Sequence, residues 1–180
     1  MLESALAEGI EPVCAKTRYT HPVKGVTFGM TKNQVQAVLA KNYPSSNYTL
    51  DKNSDVLWFL EFKDESTFDK YCFDFVEGRL TQIKISYSDS FQNKFGGTSS
   101  AVGAVIKAVI EKYGQTDRSL YEKIDIQGDE VHKVSWPEDG GGRLMFVAVS
   151  SANMILVGYS CVEFENHLLE VRRKKTNFGL

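Results

Sequence analysis

Three cysteines in 180 residues, none of them in a CxxC pair, leave a zinc or thioredoxin-type site without its ligands. Cys72 lies in the strand-like run YCFDFV, where a small buried hydrophobe is the ordinary role. Cys14 and Cys161 stand near the two ends of the chain, and their pairing is left open. Thiols this few and this widely spaced point to a reducing compartment. A basic excess is also missing: 21 Lys and Arg against 23 Asp and Glu give a net charge of −2, so nucleic acid is not expected as a partner. No stretch approaches the ~20 apolar residues of a membrane helix, so no integral membrane segment is expected. The opening MLESALAEGIEP carries acidic residues, with neither a basic n-region nor a long apolar one. The chain as it stands is expected to be soluble and cytoplasmic, or periplasmic or secreted if an export signal has been removed.

Catalytic patterns are equally sparse. There are three histidines, His21, His132 and His167. Cys14–His21 and Cys161–His167 are close along the chain, but catalytic groups assemble across folds, so linear spacing says little. His132 alternates with Val134 and Trp136 in VHKVSW, which reads as an ordinary strand histidine. The glycine cluster EDGGGRL, residues 138–144, is followed by a strand-like run and lacks GK[ST]. A phosphate loop needs a helix there, so a hairpin loop is expected instead. The acidic run KDESTFDKY, with Asp64, Glu65 and Asp69, lacks the central glycine of a calcium loop and reads as a solvated turn. RRKK at 172–175 reads as a solvated helix end, with cations where the helix dipole favours them. No catalytic residue, metal ligand or cofactor is expected.

What is present is apolar material in a repeating arrangement. Hydrophobic residues make up 42% and aromatics 12%, and a chain this long buries roughly 70% of its unfolded surface. FGMTKNQVQAVL, from Phe28, and FGGTSSAVGAVI, from Phe95, align at an offset of 67. Phe28, Gly29, Thr31, Val35, Ala37 and Val38 meet identical residues, and Leu39 meets Ile106. Thr31 and Gln34 have capping-box spacing, and Val35, Val38 and Leu39 form a helical stripe that ends at Tyr43-Pro44. In the second copy Thr98 or Ser99 is the expected cap. Val102, Val105, Ile106, Val109, Ile110 and Tyr113 form the stripe, and Gly114 the stop.

Each helix is followed by runs of strand character. After the first come YTL, VLWFLEF, KYCFDFV and LTQIKISY, with Glu77-Gly78 as a two-residue hairpin turn between the last two. After the second come YEKIDI, EVHKVSW, RLMFVAV and MILVGY. The expected fold class is α+β: two tandem helix-plus-antiparallel-meander repeats forming one twisted antiparallel sheet, with helices packed on one face and an extra C-terminal helix. The expected divisions are an N-terminal extension (1–24), a first repeat (25–92), a second repeat (93–160) and a C-terminal helix with a basic tail (161–180).

FGMTKNQVQAVL, Trp58 in VLWFLEF and YCFDFVEGRLTQI, with FGGTSSAVGAVI and Trp136 in the second copy, resemble the β-lactamase inhibitor protein fold. They are also similar to the small lipoprotein of the outer-membrane barrel-assembly machinery, which carries one such unit. The resemblance covers roughly residues 25 to 160. It implies a non-enzymatic protein-binding module, inhibitor-like or assembly-factor-like, whose partner is another protein.

The residues lead to the same class independently. Helices on one side cover one face of a sheet, and aromatic side chains left on the other are the anchors protein interfaces use. Alternation puts Trp58 and Phe59 on opposite faces of their strand. The candidate partner-binding residues are Trp58, Phe59 and Trp136, with Glu61 and Asp74 as polar neighbours on adjacent strands and a candidate carboxylate pair. The alternative is a small-molecule or lipid carrier with a cavity between sheet and helices.

Overall fold

The computed structural model of the chain describes residues 17–43, 48–52, 56–61, 67–116, 121–126, 129–149 and 154–177, with 48–52, 56–61, 126, 129 and 175–177 described through their backbone alone. The first half contains α1 (Lys32–Asn42), β1 (Tyr48–Lys52), β2 (Val56–Glu61), β3 (Phe68–Val76) and β4 (Arg79–Tyr87). The second contains α2 (Asp89–Lys94), α3 (Thr98–Tyr113), β5 (Tyr121–Ile126), β6 (Asp129–Ser135), β7 (Gly142–Val149) and β8 (Met154–Cys161), and α4 (Val162–Asn177) follows β8. Each half is a meander, and the two meet at β4 and β8 in one eight-stranded antiparallel sheet of order β1-β2-β3-β4-β8-β7-β6-β5. The fold is α+β.

Local chemistry accounts for the elements. At the start of α1 the Gln34 N–H donates to Thr31 Oγ1, and the Thr31 N–H donates to Gln34 Oε1 at 2.8 Å, so two orphan donors are satisfied reciprocally. Val35 and Leu39 then bury against the sheet, and Tyr43, extended ahead of Pro44, ends the helix. Glu77 and Gly78 both hold positive φ, 48° and 71°, as a type I′ hairpin between β3 and β4 requires. The start of α3 differs from that of α1. Thr98 is its first helical residue, and Gly97 occupies the N-cap at φ 116° with no side-chain hydrogen bond. The short α2 carries no apolar stripe that would announce it in the sequence. It straddles the expected boundary at 92/93, with Ser88 Oγ accepting the Phe91 N–H at its start.

The core lies between the helices and one face of the sheet, in two clusters. The first joins Val35 and Leu39 of α1 and Phe164 of α4 to Phe73, Phe75, Leu80, Ile83 and Ile85. The second joins Ala101, Val105, Val109 and Tyr113 of α3 to Val134, Trp136, Leu144, Phe146, Ile155 and Val157. Tyr159 packs against both.

The stretch before α1 is part of this core. Tyr19 belongs to the second cluster, and Val23, Val26 and Phe28 to the first. The Tyr19 hydroxyl donates to the Pro137 carbonyl at 2.6 Å, and the Tyr113 hydroxyl donates to the Thr20 carbonyl at 3.1 Å. Residues 17–24, expected to belong to a separate extension, therefore run across both halves. The glycine cluster is the expected loop, and it also has contacts to make. Gly141 offers its carbonyl to the Val162 N–H at 2.9 Å, at the first residue of α4, and Thr17 lies against Gly142.

Candidate partner-binding face

Strand alternation divides the sheet into two faces, and backbone register traces each across the strands. One row runs Phe73, Ile83, Tyr159, Leu144. The helical side chains of both core clusters meet this side. The other row runs Cys72, Lys84, Gly158, Met145, Ser135, and it forms the candidate face.

That face is polar on the first half of the sheet, and on the second it carries aliphatic side chains beside the Lys133–Glu122 ion pair, 3.0 Å long. On the polar half Lys84 Nζ lies 2.6 Å from Asp74 Oδ2, and the Cys72 thiol donates to Asp74 Oδ1 at 3.4 Å. Burial, reinforced by the neighbouring Asp74 carboxylate, pushes the Cys72 thiol up to about 12. It is therefore protonated at neutral pH and a poor nucleophile. On the aliphatic half Met145, Val147, Leu156 and Val131 are half-buried, and Ile124, on the edge strand, is 40% exposed. Register links Ile124 to Val131, Val131 to Val149 and Val149 to Met154, a row of apolar residues across four strands.

The residues singled out from sequence do not assemble into one site. Trp136 is in the core, 1% exposed, with its indole N–H donating to the Gly114 carbonyl at 2.9 Å. It is not a surface anchor, because alternation from Val134 puts it on the helix-side face, where its N–H still pairs with the Leu144 carbonyl at 2.9 Å. Trp58 stands in register with Cys72, on the candidate face, whereas Phe59 stands opposite Tyr71, on the helix-side row. The side chains of Trp58, Phe59 and Glu61 lie outside the described residues. Glu61 and Asp74 are not a carboxylate pair. Asp74 is in register with Val56, and Glu61 is five residues further along β2, a separation of ~17 Å. Asp74 has Lys84 as its neighbour instead. The described aromatics Tyr71, Phe73, Phe75 and Phe146 are buried on the helix side, so aliphatic side chains make up the apolar part of the candidate face.

Asp64 and Glu65 lie outside the described residues. Asp69 belongs to β3 rather than to a solvated turn, and burial raises its carboxyl above the usual range. Cys72 is free and buried, as expected of a small core residue, whereas Cys161 is disulfide-bonded, which runs against the expected reducing compartment; Cys14 lies outside the described residues. His21 is half-buried, with its ring edge-on to Phe28 and Tyr159 and its buried Nδ1 without a hydrogen-bond partner. Burial lowers its pKa to about 4.

His132 has a more structured environment than alternation alone implied. The Tyr121 hydroxyl meets its Nδ1 and Glu130 Oε1 its Nε2, each at 2.5 Å, and Lys123 reaches the other Glu130 oxygen. These bonds hold the β5–β6 hairpin together at the edge of the sheet. The pairing of Lys123 with His132 in that hairpin is the signal that would have revealed the array from sequence.

Among the described residues no group of three or more His, Cys, Asp or Glu side chains could hold a metal ion. No described helix is long and apolar enough to cross a membrane. No protein-family model, curated protein or solved structure matches the chain.

Proposed function

We propose that the chain is a non-enzymatic protein-binding module that receives its partner on the sheet face turned away from the helices. The observation that carries this reading is the group of aliphatic side chains on that face, Met145 and Val147 of β7, Leu156 of β8 and Val131 of β6, bordered by the Asp74–Lys84 and Glu122–Lys133 ion pairs. An apolar patch with a polar rim is the usual anatomy of a protein interface. The partner contacts proposed are these aliphatic residues together with Trp58 and Asp74. The resemblance to β-lactamase inhibitor proteins and to the barrel-assembly lipoprotein favours the same class, and the two halves are read as one unit used twice. Gly29 and Gly96, aligned in the two sequences, both hold positive φ, 84° and 80°, which supports that reading. A disulfide at Cys161 fits an oxidising compartment better than a reducing one, and favours the periplasmic or secreted alternative.

The test is affinity capture from a lysate of the source organism, with the native protein beside a Val147→Glu/Leu156→Lys variant. Both positions are half-exposed, so the fold should tolerate the change. One near-stoichiometric protein that is captured by the native chain and lost with the variant supports the reading. Capture unchanged by the variant moves the site off this face, and a copurifying small molecule in native mass spectrometry would favour a carrier.

A further inference from the structure

The large hydrophobic side chains that stand exposed among the described residues are Phe95, Tyr121 and Ile124, and two of these three lie on one strand. That strand, β5, is the last of the sheet and pairs with β6 on one side; no described strand pairs with its other side. Its described side chains, residues 121–125, are all exposed. An edge of this kind offers a row of backbone donors and acceptors to another chain. Its charges also alternate in sign, with Glu122, Lys123 and Asp125 in succession around Ile124.

We propose that β5 pairs antiparallel with β5 of a second copy about a two-fold axis at Ile124, joining two eight-stranded sheets into one. A two-fold axis perpendicular to the sheet keeps the faces matched, so each residue must oppose one of its own parity. An axis at Glu122, Lys123 or Asp125 sets that residue against its own like charge, which is destabilising. An axis at Ile124 avoids this, and unlike one at Tyr121 or Ile126, the ends of the strand, it pairs residues 122–126 of both copies. It sets Lys123 opposite the partner's Asp125, twice by symmetry, and Ile124 opposite the partner's Ile124. Lys123 already holds Glu130 within its own chain, at 2.5 Å, so the partner's Asp125 adds a second carboxylate to the same ammonium. The Ile124 contact falls on the candidate face, in the row with Val131, Val149 and Met154. The apolar rows of the two copies thereby become continuous.

Sedimentation velocity across about a hundred-fold range of concentration tests this, since a short edge forms an interface at the small end of the known range. The native chain is expected to pass from monomer to dimer. Asp125→Lys sets Lys123 against like charge in the other copy, while within its own hairpin position 125 stands opposite Glu130, so the hairpin is retained. Ile124→Lys places like charges on the axis. Each variant should weaken dimerisation by at least about tenfold with an unchanged circular dichroism spectrum. A monomer at every concentration, or a dimer that persists in either variant, overturns the proposal. Species that grow beyond the dimer also overturn it, because open-ended growth means that β5 meets a different edge, such as β1.

Discussion

Trp136 and Gly114 are joined by a 2.9 Å hydrogen bond from the indole N–H to the carbonyl just past the end of α3. The bond ties the C-terminus of the helix to the segment after β6 and satisfies a carbonyl that the helix leaves unpaired. It also explains why a tryptophan that looks like an interface anchor is 1% exposed. Trp136→Phe keeps most of the buried area and loses the bond, and it should destabilise the fold by about 1–2 kcal/mol. Trp136→Ala also leaves a cavity and should cost about 3–5 kcal/mol. Urea denaturation of the two variants measures both values, and a near-neutral Trp136→Ala would mean that the indole is not in the core.

His21 should make stability depend on pH. In the unfolded chain it takes up a proton below about pH 6.5, whereas in the fold it stays neutral until about pH 4. The unfolded state therefore binds more protons in this window, and stability falls as pH falls through it. The loss approaches about 3 kcal/mol below pH 4. His21→Phe should remove this contribution. The difference in unfolding free energy between variant and native chain, followed from pH 7.5 down to 4, checks it, and a flat difference would refute it.

The β3–β4 turn holds Glu77 at φ 48°, a conformation Asn adopts more readily than Glu. Glu77→Asn should stabilise by several tenths of a kcal/mol. Its ion pair with Arg172 spans 3.9 Å at the surface and contributes little against this gain. Gly78→Ala should destabilise by about 1 kcal/mol, through backbone conformation alone, because nothing lies within 4 Å of where its Cβ would stand. Thermal melts of the pair should shift in opposite directions.

Gly142 is the opposite case. Its φ is unremarkable, but a Cβ there would stand 2.3 Å from Thr17 Oγ1 and 2.6 Å from Thr17 Cβ. Gly142→Ala should therefore push the 17–20 segment off the sheet and cost about 1–3 kcal/mol. Thr17→Gly should restore most of the loss, as a double-mutant cycle would reveal. Additive effects would mean that the two positions do not touch.

Much of the fold was legible because it rests on local rules. The Thr31–Gln34 box, the Glu77-Gly78 turn, the α3 stripe and all eight strands follow from spacing, alternation and turn chemistry within a few residues of one another. The candidate site was less legible, since alternation assigns a residue to one of two faces and does not say which face is covered. Phe59 and Trp58 differ by one position and fall on opposite rows. Glu61 and Asp74 sit on adjacent strands, yet register holds them apart along the strand direction.

The α+β class and the two meanders follow from local periodicity, because neighbouring residues along the chain impose it. Long-range packing set the rest: β4 meets β8, residues 17–28 bridge both cores, and Trp136 lies beneath Gly114. Those contacts join residues far apart along the chain, where no local periodicity reaches, and they depend on which buried surfaces and unpaired backbone groups find one another as the halves close.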